Sequence, residues 1–289
     1  MQICLFLIAQ MWKLSDAELI LIYQNWTILV FSVLLTMQQH AIKSTVYRNK
    51  INKKITTQGI TMHFNILTVF PEMFPGTLGA GVVGRALDKG IWTYNTINIR
   101  DFAINNYGSV DDEQFGGGTG MVMRPEPIAD AIDSLKNHGK IIYFSPRGKQ
   151  LNQKMVREFV ADAGATYTLL CGRYEGIDQR IIDEYDIMEV SIGDYILSGG
   201  EIAAEVFIDS CVRVMDNVLH GGAESTENES FEIGGLEWPL YTRPSVWRGR
   251  NVPEVLLSGH HGNIERWRKQ QSDEITKQRR PDLIKENKK

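Results

Sequence analysis

The stretch SIGDYILSGGE, residues 191–201, combines three glycines with a short apolar run and two acidic residues. A phosphate-binding loop would place a lysine and a hydroxyl residue after its last glycine, and a dinucleotide-binding loop would space its glycines as G-x-G-x-x-G. The stretch has neither pattern. Because glycine lets backbone N–H and C=O groups approach a ligand closely, this composition suits the adenine ring and ribose of a nucleoside-like ligand.

Two similar loops occur earlier in the chain, and each of the three follows a predicted strand. The strands KIIYFS (140–145), TYTLLC (166–171) and IMEVSI (187–192) lead into SPRGK, CGRYEG and GDYILSGGE. In an open parallel sheet, ligands bind beyond the carboxyl ends of the strands. Any single loop of this kind fits an ordinary turn with structural glycines, but three in succession favour a binding site.

The elements that must position these loops alternate between strand and helix. A first strand, FNILTVF, occupies residues 64–70. PIADAIDSLKNHG (127–139) begins on proline, NQKMVREFVADAG (152–164) begins on an asparagine cap, and both close on glycine, which predicts two helices. This alternation predicts a parallel α/β sheet.

Residues 201–219 have the pattern of an amphipathic helix. Its apolar face contains Ala204, Phe207, Ile208, Cys211, Met215, Val218 and Leu219. Arg213 lies off this face, where it could pair with Asp209 one turn earlier.

The remainder of the chain divides into a polar segment and a basic tail. HGGAESTENESFEIGGLEWP, residues 220–239, is rich in glycine, glutamate and serine and predicts a flexible linker. The pattern of the tail predicts a helix, and its basic residues cluster near an aromatic residue: Arg266, Trp267, Arg268 and Lys269. Such a cluster suits an RNA backbone and an unstacked base, with a solvated helix face as the equal alternative.

Composition limits the class of protein. A chain of 289 residues that is 43% hydrophobic can form one large or two modest domains. Its three widely spaced cysteines form neither a metal set nor a disulfide framework, which indicates a reducing compartment. The net charge is −4, so a nucleic-acid partner would have to meet a locally basic surface.

Residues 1–61 differ from the rest of the chain, with Gly59 as their single glycine. Residues 17–36 are apolar over the length that a membrane helix needs, and the basic run 43–54 would fit a cytoplasmic flank. A signal peptide fits less well. We favour the alternative that synthesis begins at Met62, and we expect no stable membrane association.

Six motifs follow one another along the chain: TVFPEMF (68–74), GGGTGM (116–121), CGRYEGIDQR (171–180), SIGDYILSGGE (191–201), YTRP (241–244) and LLSGHH (256–261). Together they resemble the bacterial tRNA (guanine-N1)-methyltransferases of the SPOUT superfamily, over about residues 62–287. The resemblance implies an α/β fold with a SPOUT-type parallel sheet, a deep C-terminal trefoil knot and a small helical C-terminal domain. It also implies a cytoplasmic homodimer that methylates N1 of guanosine 37 in tRNA.

The resemblance divides the chain into four parts. Residues 1–61 are an extension without a counterpart, residues 62–220 form the knotted catalytic domain, residues 221–236 form the linker, and residues 237–289 form a helical tRNA-binding domain. The cofactor implied is S-adenosylmethionine, with magnesium assisting, although the sequence shows no protein ligand set for a metal.

The resemblance places the cofactor in the same three loops that the glycines indicate. The residues that match are Tyr143, Phe144, Ser145, Pro146, Gly172, Tyr174, Glu175, Gly176, Ser191, Ile192, Gly193, Asp194, Tyr195, Ile196, Leu197, Gly199 and Gly200. One departure is Ala203, where many members of the family have proline.

The resemblance also implies two catalytic residues. Guanine N1 carries a hydrogen, so a carboxylate must remove the proton as general base, and a guanidinium can stabilise the charge that develops on O6. Arg213 matches the family's arginine. The family's aspartate corresponds to Glu229, which keeps the carboxylate but adds a methylene, and Glu227 takes the role if the linker register shifts.

Three other interpretations stay open. A knotted methyltransferase could act on ribosomal RNA or at another tRNA position, although the linker carboxylate and the basic tail favour base N1. An RNA-binding protein could have lost catalysis, although intact cofactor loops argue against that. A membrane anchor at residues 17–36 could be added to either.

Overall fold

The computed structural model describes residues 61–105, 107–162, 164–220, 226 and 228–286. The proposed anchor at residues 17–36 and the alternative base Glu227 therefore lie outside the described residues. Within the described part of the chain, no helix has the length and apolar character needed to cross a membrane.

The centre of the fold is a five-stranded sheet in which every pair of neighbouring strands is parallel. Its strands are β1 (Met62–Thr68), β2 (Trp92–Asn98), β5 (Lys140–Gln150), β6 (Thr166–Leu170) and β7 (Met188–Ser191). They lie in the order β2-β1-β6-β5-β7. Two further strands, β3 (Asp111–Glu113) and β4 (Met121–Met123), form an antiparallel pair, and Met123 forms a bridge with Ile177 in the loop after β6.

Helices cover both faces of the sheet, which explains why its central strands are apolar almost throughout. The helices that connect and follow the strands of this sheet are α1 (Gly81–Asp88), α2 (Pro125–Asp133), α3 (Gln153–Ala161), α4 (Gln179–Glu184) and α5 (Glu201–Arg213). One buried cluster joins the sheet to α1, α3 and α5 around Phe64, Tyr167 and Phe207. A second cluster joins the other face to α2 and α4 around Leu67 and Ile128.

The carboxyl-terminal part contains a short hairpin and three helices. The hairpin pairs β8 (Val246–Trp247) with β9 (Arg250–Asn251), and the helices are α6 (Glu254–Leu257), α7 (His261–Arg279) and α8 (Pro281–Glu286). The predicted helical tail is thus confirmed over most of its length.

The predicted strands and the α/β class are confirmed, but three helices end earlier than predicted. Helix α3 ends at Ala161, three residues before Gly164. Helix α2 ends at Asp133 rather than near Gly139. The hydroxyl of Ser134, the next residue, donates a hydrogen bond to the carbonyl of Ala131. Helix α5 ends at Arg213 rather than at Leu219, and Asn217 farther along has a φ of 62° that is incompatible with a continuing helix. The cap predicted at Asn152 is present, since its side chain accepts a hydrogen bond from the Met155 N–H at 2.9 Å.

Candidate functional site

The three glycine loops meet at the carboxyl edge of the sheet, because β6, β5 and β7 are neighbours there. The N–H of Gly200, just before α5, donates to the carbonyl of Gly172 at 2.9 Å. The loop after β7 is thereby tied to the loop after β6. Leu151, at the end of the extended loop of β5, donates through its N–H to the carbonyl of Ser191 at 2.7 Å.

Two glycines of this edge occupy positions that no larger residue fits. A Cβ atom on Gly172 would lie 2.6 Å from the ring of Tyr143, and a Cβ on Gly200 would lie 2.8 Å from Cα of Cys171. The close approach of the three loops therefore depends on these glycines. Burial raises the pKa of Tyr143, so its hydroxyl stays protonated beside this contact.

The side chains of the three loops divide into supporting and open ones. Phe144 and Ser145 are buried, and Phe144 packs into the core cluster around Phe207 rather than toward solvent. By contrast, Tyr195 is 55% exposed and Ile196 is 79% exposed. The open apolar side chains at the tip of the third loop are available to a ligand.

The remaining predicted cofactor residues lie on the same edge. Ser191 and Gly200 are buried, Ile192 and Gly199 are half-buried, and Pro146, Glu175, Asp194 and Leu197 are exposed. Tyr174 has a φ of 59° and Gly193 has a φ of 150°, so the backbone turns sharply at both.

Gly176 accepts from the Met123 N–H at 2.9 Å, and Glu175 donates through its N–H to the Met121 carbonyl at 2.9 Å. The GGGTGM motif therefore backs the second loop.

A buried ion pair that the sequence did not predict stabilises the carboxyl edge of the sheet. Glu201 is 1% exposed, and its Oε2 lies 2.9 Å from Nη2 of Arg173. Its Oε1 accepts a 2.7 Å hydrogen bond from the hydroxyl of Thr68 at the end of β1. Arg173 also donates to the carbonyl of Ser198 at 3.2 Å and lies over the ring of Phe70. Both charged residues stand inside recognised motifs, but their spacing gives no sign that they are partners.

At the other end of α5, Arg213 and Glu229 form a bidentate ion pair. Nη1 and Nη2 of Arg213 donate to the two carboxylate oxygens of Glu229, each at 2.8 Å. The hydrogen bonds from Arg213 lower the pKa of Glu229, and the same bonds raise the pKa of Arg213. The structure brings together the two residues that the resemblance singled out, and the alternative pairing of Arg213 with Asp209 is wrong.

A second arginine, Arg157 on α3, holds the linker on both sides of Glu229. Its Nε donates to Glu232 at 2.6 Å, and its Nη2 donates to the hydroxyl of Thr226 at 2.8 Å. Gln153, one turn earlier, donates to the same oxygen of Glu232 at 2.8 Å. The linker residues three before and three after Glu229 are thus fixed to one helix. No local pattern predicts this contact, because Arg157 and Glu232 are 75 residues apart.

The three glycine loops and the Arg213–Glu229 pair lie at opposite ends of α5. The helix has 13 residues, so its first and last Cα atoms are about 18 Å apart. Gly200 precedes its first residue and Arg213 is its last. Within one chain, the three loops and the ion pair therefore form two separate groups.

The four basic-patch residues lie on the first half of α7. Arg266 and Lys269 are exposed and contact their own helix, through Asn263 and Asp273 respectively. Trp267 is half-buried with its ring centroid 6.2 Å from that of Tyr241. Arg268 stacks over the ring of Trp238. The helix presents charge to solvent while its tryptophan packs inward.

Comparison with known proteins gives one consistent family. The family described as tRNA (Guanine-1)-methyltransferase TrmD matches residues 62–286. A tRNA (guanine-N(1)-)-methyltransferase of Rhodospirillum rubrum is 54% identical over 219 residues, which are 75% of this chain and 90% of the relative. Relatives of the same name from Anaplasma phagocytophilum and Rickettsia akari are 52% and 50% identical, each over 78% of this chain and over 97% and 98% of the relative.

Proposed function

The chain belongs to the tRNA (guanine-1)-methyltransferase family, and from this premise we propose that it transfers a methyl group from S-adenosylmethionine to N1 of guanosine 37 in tRNA. That nucleotide stands next to the anticodon, where the methyl group supports maintenance of the reading frame. The observation that supports the assignment of residues is the bidentate pair of Arg213 and Glu229, in which a carboxylate lies beside a guanidinium.

The carboxyl-end loops fit the cofactor in their chemistry. Gly172 packs so closely against Tyr143 that a Cβ atom would lie 2.6 Å from the ring, and glycines of this kind let backbone groups approach a ligand. The open side chains of Tyr195 and Ile196 supply apolar surface for an adenine ring. When bound there, S-adenosylmethionine supplies a methyl group activated by its sulfonium charge.

Glu229 acts as the general base in this proposal. Its lowered pKa keeps the carboxylate ionised at neutral pH, ready to accept the proton of guanine N1. Arg213 then stabilises the negative charge that develops on O6. Before the substrate binds, Arg213 and Glu229 are hydrogen-bonded to each other. This ion pair must therefore separate so that guanine can enter between the two side chains.

Opening the pair makes Glu229 a stronger base at the step that needs one. The first cause of its lowered pKa is the hydrogen bonding from Arg213. When the guanidinium turns to guanine O6, this stabilisation of the carboxylate weakens and the pKa of Glu229 rises toward its ordinary value. Arg157 and Glu232 keep the linker in place while the pair separates.

We propose that the enzyme is a homodimer whose active site needs both copies. About 18 Å separates the two ends of α5, which is more than the side chain of Arg213 spans. The ion pair of one copy can meet the cofactor loops of the other. The exposed apolar residues Ile202 and Val206 on α5 supply a surface for that contact.

The course of the chain supports the proposed trefoil knot. Strand β7 lies outside β5, yet the loop that follows it returns to bond with Gly172 after β6. The chain must therefore pass the end of β5, which is the kind of crossing that a knot requires. We propose the knotted domain at residues 62–220, a linker at residues 221–236, and a cytoplasmic location.

The carboxyl-terminal residues 237–289 would bind tRNA as a helical domain, through the exposed charges of Arg266, Arg268 and Lys269 on α7. We also propose that magnesium assists the reaction. The described residues contain no group of three or more His, Cys, Asp or Glu side chains able to hold a metal ion.

The chemical identity of the product tests the proposal. The full chain is incubated with S-adenosylmethionine and an unmodified tRNA transcript, and the nucleosides of the digested product are separated by mass spectrometry. We expect 1-methylguanosine. A ribose-methylated nucleoside, or no methylated nucleoside at all, would contradict the proposed reaction.

A further inference from the structure

The segment from Trp238 to Pro253 has a charge pattern unlike the rest of this acidic chain. It contains Arg243, Arg248 and Arg250 and no acidic residue. Every residue from 240 to 251 is exposed. Because the chain as a whole carries a net charge of −4, this segment is a local positive surface that faces solvent.

Two of these arginines stand on the β8–β9 hairpin. Val246 pairs with Asn251 and Trp247 pairs with Arg250, so Arg248 and Gly249 form a two-residue turn. Their φ angles are 50° and 74°, the arrangement of a type I′ turn, which asparagine followed by glycine fits best. Arginine is strained at the first position. A strained residue where a better one exists points to a role for its side chain.

The side chains of the hairpin are arranged for an aromatic and phosphate ligand. The guanidinium of Arg248 lies 4.9 Å from the centre of the Trp247 ring, covering one face of the indole. Trp247 is nevertheless 57% exposed. In the part of the chain that the structure describes, neither Arg248 nor Arg250 has a carboxylate partner within salt-bridge distance. Both cations are available to an anion.

We propose that the hairpin Val246–Asn251 is a second tRNA-contact surface, separate from the basic patch on α7. Arg248 and Arg250 bind phosphates of the RNA backbone through their guanidinium groups. The free face of Trp247 stacks on an unpaired base. The proposal rests on the proposed function for its ligand, since it takes tRNA as the RNA that is bound.

Substitution of Arg248 distinguishes the effect of losing its charge from an effect on the stability of the fold. Arg248→Asn removes the charge and puts at this turn the residue that its backbone conformation favours, so the melting temperature should stay the same or rise. Arg250→Gln and Trp247→Ala complete the set. Arg85→Gln is the matched control, because Arg85 is an exposed arginine on α1, far from the hairpin in sequence.

The measurement is the affinity of the full-length variants for an unmodified tRNA transcript, by fluorescence anisotropy at several salt concentrations. Each arginine variant should weaken binding and reduce the slope of log K against log salt by about 1, as expected for one lost phosphate contact. Trp247→Ala should weaken binding by about tenfold. Arg85→Gln should match the wild-type chain in both affinity and slope.

Unchanged affinity and unchanged slope in the three hairpin variants would overturn the proposal. So would a loss of dimer in sedimentation with RNA affinity retained, because the hairpin would then contact protein. Methyl transfer is measured on the same samples. A wild-type chain that binds the transcript without methylating it refutes the proposed function alone, while one that binds no RNA refutes both.

Discussion

Arg213 and Glu229 face each other through two hydrogen bonds of 2.8 Å, although 16 residues separate them in the chain. One stands at the end of a core helix and the other on the linker that follows it. The two side chains are each about one-third exposed, so the pair is open to solvent and to a substrate that could take the place of either partner.

Replacing Glu229 by glutamine should reduce methyl transfer by about 10² to 10⁴-fold, the usual contribution of a general base. The affinity for S-adenosylmethionine should not change, because the three glycine loops proposed to bind it lie at the other end of α5. Single-turnover rates and calorimetric titration measure the two quantities. Glu227→Gln is the control and should remain active. The reverse pattern would move the base to Glu227.

Replacing Arg213 by glutamine should shift the titration of Glu229. In the wild type, hydrogen bonding from Arg213 lowers the pKa of Glu229 below its ordinary value. The stability contributed by the pair is therefore present at neutral pH and lost as the pH falls through that lowered pKa. Arg213→Gln should raise the pKa of Glu229 toward its ordinary value, as measured by NMR of the side-chain carboxyl carbon. Identical titration curves for the two proteins would contradict the ion pair.

Replacing Arg157 by glutamine should loosen the linker without changing the three glycine loops. The lost bonds are those to Glu232 and Thr226, so kcat should fall several-fold while the affinity for S-adenosylmethionine stays the same. The double exchange Arg157→Glu with Glu232→Arg should restore part of the rate. Lys154→Gln, an exposed neighbour on α3, is the control. If Arg157→Gln has the wild-type kcat, Arg157 does not position the linker.

Replacing Gly172 by alanine should weaken binding of S-adenosylmethionine by more than tenfold. The added methyl group would stand 2.6 Å from the Tyr143 ring, so one loop must move away from the other. Gly262→Ala is the control, since nothing lies within 4 Å of its position on α7. Calorimetry and thermal melting follow binding and fold together. Equal affinity in Gly172→Ala and the wild type would show that the loops do not hold the cofactor.

The sequence predicts the sheet and its glycine loops because both depend on local patterns. Apolar runs that end in glycine mark β5, β6 and β7, and the carboxyl ends of parallel strands meet at one edge. Asn152 could likewise be assigned as a helix cap from its position alone.

Contacts between distant residues could not be predicted in this way. Local spacing pairs Arg213 with Asp209, because the i,i+4 rule applies only to residues of one helix. The linker that places Glu229 beside Arg213 has no periodic pattern. The pairing of Arg173 with Glu201 depends on how β6 and α5 are placed in the fold. The early end of α5 could not be predicted, because the residues after Arg213 keep the apolar spacing of a helix although they lie outside it.

The position of the transferred methyl group tests the central claim most directly. The full chain is given labelled S-adenosylmethionine and either of two tRNA transcripts that differ only at position 37, one with guanosine and one with adenosine. We predict label on the guanosine transcript, located at position 37, and none on the adenosine transcript. Equal labelling of both transcripts, or none of either by a chain that binds the cofactor, would contradict the account.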